Sequence, residues 1–344
     1  MEQNKETVTT VADYTDDERA ELNERTDAQY KKIIAEGKYK DLLLKCGANS
    51  KYSVSNIMLM LEQNPDMTVA KSMNEWAREG RHIKEGAASM EIIAPTKEEY
   101  EVTAKDKEGN PKLDEEGNEI VYTREKTVGF HPVYVFDVAA TEGAEVKPYT
   151  IGKKVSDKEN KIILDGVFAA LSAKHWKYKF TDESEFADDE NYKIDKANKT
   201  VKICKGLGNT ATALTAIEGA SKAINDNYKG RGFEGMTGEN AEKIEADSRA
   251  CILASHFGLD TSGYNFDYMK NMTEEQTDMF RENLNLICAS TKLVMDKISR
   301  AFYKDQQARA QAAPDPSADN GGGVEADEDP FCSVPAKRSE MEAA

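Results

Sequence analysis

The stretch TALTAIEGASKAI, residues 212–224, has the frame of a helical zinc site from which the metal ligands are gone. In H-E-x-x-H, two imidazoles one helical turn apart hold Zn²⁺ and leave an open position for a water that the glutamate activates for hydrolysis. Here Ile217 and Ser221 stand at the two imidazole positions, and Glu218 alone is kept, at the position of the general base. Isoleucine cannot ligate a metal, and a serine hydroxyl is a poor zinc ligand without stronger partners. None of the four histidines, His82, His131, His175 and His256, lies four residues from another. Taken alone, I-E-x-x-S also fits an Ala-rich amphipathic core helix. On either reading the ligands for zinc-assisted hydrolysis are missing, no metal or other cofactor is expected, and the chain is expected not to be an enzyme.

The elements that would position this helix can be read along the chain. YTDDERAELNERTDAQYKKIIAEG offers Thr15 as an N-cap, acids in the first turn and Gly37 as a stop, which predicts a helix. Short helices over KYKDLLLKC, YSVSNIMLMLEQNPD (closed by Pro65) and SMNEWAREG follow. Then SMEIIAP, YEVTAKD, NEIVYTRE and KTVGFHPVYVFDV read as strands, and the charged, Gly-rich DKEGNPKLDEEGNE between them as a long hairpin or mobile arm. The second half predicts a helix over NKIILDGVFAALSAKH, a hairpin over NYKIDKANKTVKICKG, the helix of the opening motif, a helix ending at His256 and Gly258, and one of about thirty residues from Thr273 to Lys304.

The net charge of −17 is unevenly spread. Residues 1–30 and residues 305–344 each hold nine acids and three bases, whereas residues 31–95 hold ten Lys/Arg against eight Asp/Glu. The N-terminal part can therefore present a basic face within an acidic protein. No apolar run approaches the roughly eighteen residues of a membrane span, and the first twenty-one residues are polar and acidic. A cytoplasmic location without a membrane partner is expected. The five cysteines, Cys46, Cys204, Cys251, Cys288 and Cys332, form no C-x-x-C pair and read as reduced thiols.

From about residue 30 to 303 the chain resembles the ArdC family of antirestriction proteins and its LtrC-like relatives, which are encoded by conjugative plasmids, integrative elements and phages. The resemblance rests on five N-terminal blocks in order, YSVSNIMLMLEQNPD, Trp76, GRHIKEG, IIAP and GFHPVYVFDVAATEG, and continues in the second half with the hairpin, the opening helix and EKIEADSRACILASHFGLDTSGYNFDYM. It implies a single-stranded DNA-binding domain followed by a zincin-like metallopeptidase domain. The family's E-x-E-A-E pattern on the later helix reads KIEAD here, so Lys243 replaces the first acid while Glu245 and Asp247 remain. With Ile217, Ser221 and Lys243 at the three vestigial ligand positions, the implied metallopeptidase is degenerate.

The expected fold class is α+β: N-terminal helices with an antiparallel sheet, then a helix-rich degenerate zincin-like domain and a disordered acidic tail. The expected segments are an acidic flexible start (1–28), an ArdC-like N-terminal domain (29–148), the zincin-like domain (149–304) and the tail (305–344). Single-stranded DNA binding needs cations for phosphates and flat side chains for bases. The candidates are Lys51, Tyr52, Ser53, Asn56, Arg78, Arg81, His82 and Lys84. Tyr52 can also be a core aromatic, and core is the favoured reading for Trp76. Arg81 and Lys84, which bracket the turn into a strand, are the leading phosphate contacts, with plain solvated surface as an equal alternative for each. The tail segment EADEDPFCSVP resembles the acidic tip of bacterial single-stranded DNA-binding proteins, but Phe331 is followed by thirteen residues, so the terminal carboxylate is absent. The tail is a candidate for contacting a protein partner. The function expected is a non-catalytic single-stranded DNA-binding protein of a phage or mobile element, with a protein-binding decoy or inhibitor as the alternative.

Overall fold

The computed structural model describes residues 12–146, 155–188, 190–225 and 238–312, and their architecture is α+β. Thr15 caps α1 (Asp16–Ala35) in a capping box with Glu18, as its spacing predicts. The chain just ahead of this helix is docked rather than loose. The Tyr14 amide donates to Phe130 O at 2.7 Å, its hydroxyl donates to Glu91 at 2.6 Å, and Thr96 hydrogen-bonds Asp13 in the space that Gly129 leaves. The expectation of a flexible start to residue 28 is thereby corrected for residues 12–28; residues 1–11 lie outside the described ones.

Helices α2 (Tyr39–Ala48) and α3 (Val54–Gln63) follow, the second capped by Ser53 and buried along most of its length. A short strand β1 (Ala70–Lys71) leads into α4 (Met73–Arg78), boxed by Ser72 and Glu75, and then β2 (Arg81–Ile83). The four β runs expected from the sequence are two long strands, β3 (Met90–Thr103) and β4 (Val121–Asp137). They pair antiparallel from Met90↔Val135 to Thr103↔Val121, with a bulge at Thr96/Lys97. β4 also pairs β1, which leaves β3 at the edge, and β2 pairs β5 (Thr141–Gly143).

Two amides on α3 cover that edge. Asn56 Nδ2 donates to Ile93 O and Ile93 N–H donates to Asn56 Oδ1, both at 2.9 Å; two helical turns on, Gln63 makes the same pair of bonds with Glu91, both at 2.8 Å. Spaced by seven residues, the two side chains share a helix face and act as a substitute strand for alternate residues of β3.

At the far end of the β3–β4 arm the chain contains an internal repeat. Asp106 and Asp114 each open a D-x-E-G-N loop in which the Asp Oδ1 accepts from the amides two and four residues on, and the glycine takes a positive φ of 91° or 88°. Ala104, Lys112 and Ile120, eight residues apart, close a ring: Lys112 N–H donates to Ala104 O, Ala104 N–H to Ile120 O and Ile120 N–H to Lys112 O. The arm is thus a built three-leaved tip rather than a mobile loop.

The second half begins with α5 (Asp157–Ala173), followed by a sheet of β6 (Lys177–Thr181), β7 (Tyr192–Asp195) and β8 (Thr200–Cys204). The β7–β8 hairpin is the predicted one; β6, parallel to β8, went unread in the sequence. Helices α6 (Asn209–Asn225), α7 (Gly238–His256) and α8 (Glu274–Ala312) complete the fold. The last helix continues past Lys304, where the sequence composition changes, so residues 305–312 are helical and the expected tail concerns residues 313–344, outside the described ones.

One hydrophobic core runs through both halves, from Tyr30, Leu43 and Ile57 to Ile163, Leu253 and Phe280. Tyr39 on α2 stands edge-on to Phe266 and Phe280, each 5.2 Å away, and its hydroxyl meets Ser248 on α7 at 2.9 Å. His256 Nδ1–H donates to Gly47 O at 2.7 Å, and burial lowers the pKa of that ring, so the histidine ending α7 joins the halves. Gly47 is there because α2 and α7 touch: a Cβ would meet Ser255 Oγ and lie 2.8 Å from Ile252 O. Gly47→Ala is expected to lower stability by about 1–3 kcal/mol through overpacking, measured by urea unfolding; an unchanged midpoint would contradict this packing.

Candidate nucleic-acid surface and the vestigial zinc helix

The candidates for DNA contact separate into those the fold consumes and those it leaves on the surface. Asn56 is 9% exposed and both ends of its amide are engaged by Ile93, so it organises the sheet edge instead of facing solvent. Arg81 is likewise committed: Nε donates to Thr141 Oγ1 at 2.8 Å, one terminal nitrogen to Thr141 O at 2.9 Å and the other to Ala144 O. Its expected role as a leading phosphate contact meets a guanidinium already filled by the β2–β5 hairpin. Ser53 works as the N-cap of α3, its Oγ accepting from Asn56 N–H at 3.2 Å.

Around α4 the geometry is more open. Lys51 Nζ lies 4.6 Å from the centre of the Tyr52 ring and pairs with Glu75, while Lys71, which the sequence reading did not single out, pairs with Glu79 and lies 5.0 Å from the Trp76 ring. Burial is the main cause lowering the Lys51 pKa, opposed by Glu75. Trp76 is fully buried and its Nε1–H donates to Phe136 O at 2.9 Å, the core role allowed for it. Tyr52 is half-buried against the core, which pushes its pKa up. Arg78, at the last turn of α4, is exposed and has no ion-pair partner among the described residues. On the adjoining hairpin His82 Nε2 lies 2.9 Å from Glu142 Oε1, and Lys84 Nζ donates to Ala139 O at 2.9 Å. Lys51, Tyr52, Arg78, Arg81, His82 and Lys84 thus stand on or beside α4 and β2, with Lys71 among them. Lys71 was readable as a lysine next to the Ser72–Glu75 capping box, but its place beside Trp76 depends on the fold.

On α6, Ile217 is fully buried and Ser221 is 1% exposed with its hydroxyl unpartnered among the described residues. Glu218 accepts from the Tyr264 hydroxyl at 3.1 Å. The remaining positions of the implied site serve other bonds. Lys243 pairs with Asp247 one turn along α7, and Glu245 lies 3.1 Å from Arg249, whose Nε donates to Ser290 Oγ at 2.6 Å. Glu245 therefore compensates a buried guanidinium instead of facing a metal. No group of three or more His, Cys, Asp or Glu is placed to hold a metal among the described residues. An apolar side chain, a hydroxyl and an ammonium at the three positions that the resemblance implies as ligands do not fit a zinc ion.

Burial raises the Glu218 pKa, while the Tyr264 bond and Lys243 oppose it and Asp247 adds to it; Tyr192, which feels the Glu218 charge, and Tyr268, which feels that of Asp247, are each pushed up to about 12, mainly by burial. A carboxyl with a raised folded pKa holds its proton more tightly in the folded chain. Its contribution favours folding fully below the unfolded value of about 4.3 and is lost as pH rises through the folded value. Glu218→Gln keeps an acceptor for Tyr264 and removes this dependence. The variant is expected to show a flatter thermal midpoint against pH from about 4 to 7 and no loss of stability at neutral pH; a wild-type slope in the variant would contradict this.

Residues 13–130 match the family model described as the N-terminal domain of anti-restriction factor ArdC. No curated protein matches the chain. Two solved structures of the antirestriction ArdC protein from the R388 plasmid are similar. The metal-free one has 11% identity over 72% of this chain and 84% of that chain, at a TM-score of 0.37. The Mn(II)-bound one has 12% identity over 80% and 97%, at a TM-score of 0.41. These scores are too low to carry an argument, so the assignment rests on the family model. By that match residues 13–130 form an ArdC-type N-terminal domain.

Proposed function

We propose that the chain is a non-catalytic single-stranded DNA-binding protein of a phage or other mobile element, acting in the cytoplasm to protect DNA from host restriction or during its replication and transfer. The observation that carries this reading is the match of residues 13–130 to the N-terminal domain of an anti-restriction factor. The surface around α4 supports it. Arg78 is free to meet a phosphate, the His82–Glu142 contact is largely exposed and the Lys51–Glu75 pair is partly exposed. Exposed pairs are worth roughly 0–1 kcal/mol, so a phosphate displaces the carboxylate at little cost. The non-catalytic part rests on Ile217, Ser221 and Lys243 at the ligand positions and on Glu218 held by Tyr264.

A mobility shift of a thirty-nucleotide single strand by the full chain tests the reading, and Arg78→Glu should weaken that shift. Absence of a shift at low salt would sink it. The protein-binding decoy would then take its place, a reading favoured by Leu113 and Tyr122, which are 58% and 54% exposed on the acidic arm.

A further inference from the structure

The three-stranded sheet of the second half has two unlike faces. One buries Val201 and Ile203 against α6, with Gly219 admitting Val201. On the other, the register sets Lys179 beside Lys202 and Lys202 beside Lys193, a row of three lysines across neighbouring strands, with Lys177 two residues from Lys179 on the same face. Strand spacing puts the row at intervals of about 4.8 Å, and the pair along β6 about 6.6 Å apart. Like charges directly opposite one another in a sheet are destabilising, so folding gives no reason for this alignment. Lys202 is partly offset by Glu185 at 3.2 Å and Lys193 by Glu190 at 3.0 Å. Lys177 and Lys179 are exposed and have no ion-pair partner among the described residues.

β6 is also an edge strand, paired only with β8 among the described residues. Its alternate residues, Tyr178 and Phe180, lie on the opposite, helix-covered face beside Val201 and Ile203, yet at this edge they remain 42% and 36% exposed, so lysines and rings flank the edge from its two sides. They are held in place: Phe168 on α5 stacks on Tyr178 at 3.3 Å with an interplanar angle of 7°, and meets Phe180 edge-on at 6.1 Å. Aromatic rings fixed beforehand offer stacking at little entropic cost, and lysines interleaved with them supply the phosphate contacts.

We propose that the β6 edge is a second binding surface, for single-stranded nucleic acid, with phosphates on Lys177, Lys179 and Lys202 and bases on Tyr178 and Phe180. The exposed rings favour a nucleic acid over an acidic polypeptide, which needs the lysines alone. The surface stands apart from the N-terminal reading, and Arg78→Ala run in parallel reports on that one separately.

The test uses the full chain and a thirty-nucleotide strand carrying 5-iododeoxyuridine. Ultraviolet cross-links are expected in the peptide holding Tyr178 and Phe180. The triple variant Lys177→Ala, Lys179→Ala, Lys202→Ala removes two exposed lysines and the half-buried Lys202 with its Glu185 pair; it should reduce the log–log salt slope by about 2, from roughly 0.7 per phosphate contact. Tyr178→Leu should weaken binding about five-fold or more with the slope unchanged. Cross-links confined to residues 13–130 together with wild-type binding by both variants would overturn the proposal, as would a chain that binds no single strand. So would lysine-dependent capture of poly-glutamate with Tyr178→Leu binding the oligonucleotide like wild type, which would make the face a site for acidic polypeptides.

Discussion

Asn56→Ala is expected to lower folding stability by about 1–3 kcal/mol, because two part-buried backbone groups of Ile93 lose their side-chain partner and hydrogen bonds of this kind are worth roughly 0.5–1.5 kcal/mol each. The side chain bridges Ile93 N–H and C=O on the edge of β3, where no strand is available to replace it. Asn56→Asp is the sharper variant: its carboxylate can still accept from Ile93 N–H but cannot donate to Ile93 O, so it should also destabilise. Both are read by urea unfolding of the full chain. If Asn56→Ala unfolds like wild type and instead loses affinity for DNA, the amide belongs to the binding surface as the sequence suggested, and the structural role is wrong.

Restoring the imidazoles of the opening motif has the second large expected effect. Ile217 is fully buried within the continuous core. Ile217→His replaces a packed aliphatic side chain by a polar ring, which is expected to cost about 2–4 kcal/mol. The wild-type chain should retain no stoichiometric zinc through gel filtration, and its thermal midpoint should be the same in chelator as in zinc. In the triple variant Ile217→His, Ser221→His, Lys243→Glu, a helical i, i+4 pair again faces one side, so zinc should raise the midpoint above its value in chelator. A wild-type midpoint that falls in chelator would contradict the reading of α6 as a helix without metal.

Helix positions were legible because caps and stops are local: Thr15 with Glu18, Gly37 and Pro65 each act within a few residues of themselves. That Ile217 and Lys243 cannot ligate zinc was legible for the same reason, since residue type alone decides whether a side chain can ligate. What the chain does with its polar side chains was not. Asn56 and Arg81 have the composition of DNA contacts, yet their partners, Ile93 and Thr141, lie 37 and 60 residues away and are known only once β3 and the β2–β5 hairpin are placed. The strand β6 escaped because its five residues follow directly on a helix and alternate lysine with aromatics that the fold leaves exposed. The end of α8 was set too early because composition changes at Lys304 while the helix runs on to Ala312. The shared core of α2 and α7 depends on Gly47, whose meaning is a close approach invisible in the sequence.

The central claim, binding of single-stranded DNA through a cationic surface, is tested most directly by fluorescence anisotropy of a thirty-nucleotide strand titrated with the full chain at several salt concentrations. The account predicts binding at low salt whose log affinity falls linearly with log salt, by roughly 0.7 for each phosphate contacted. Arg78→Ala should lower both the affinity and the slope. Affinity that is absent at low salt, or present but indifferent to salt and to Arg78, would contradict it.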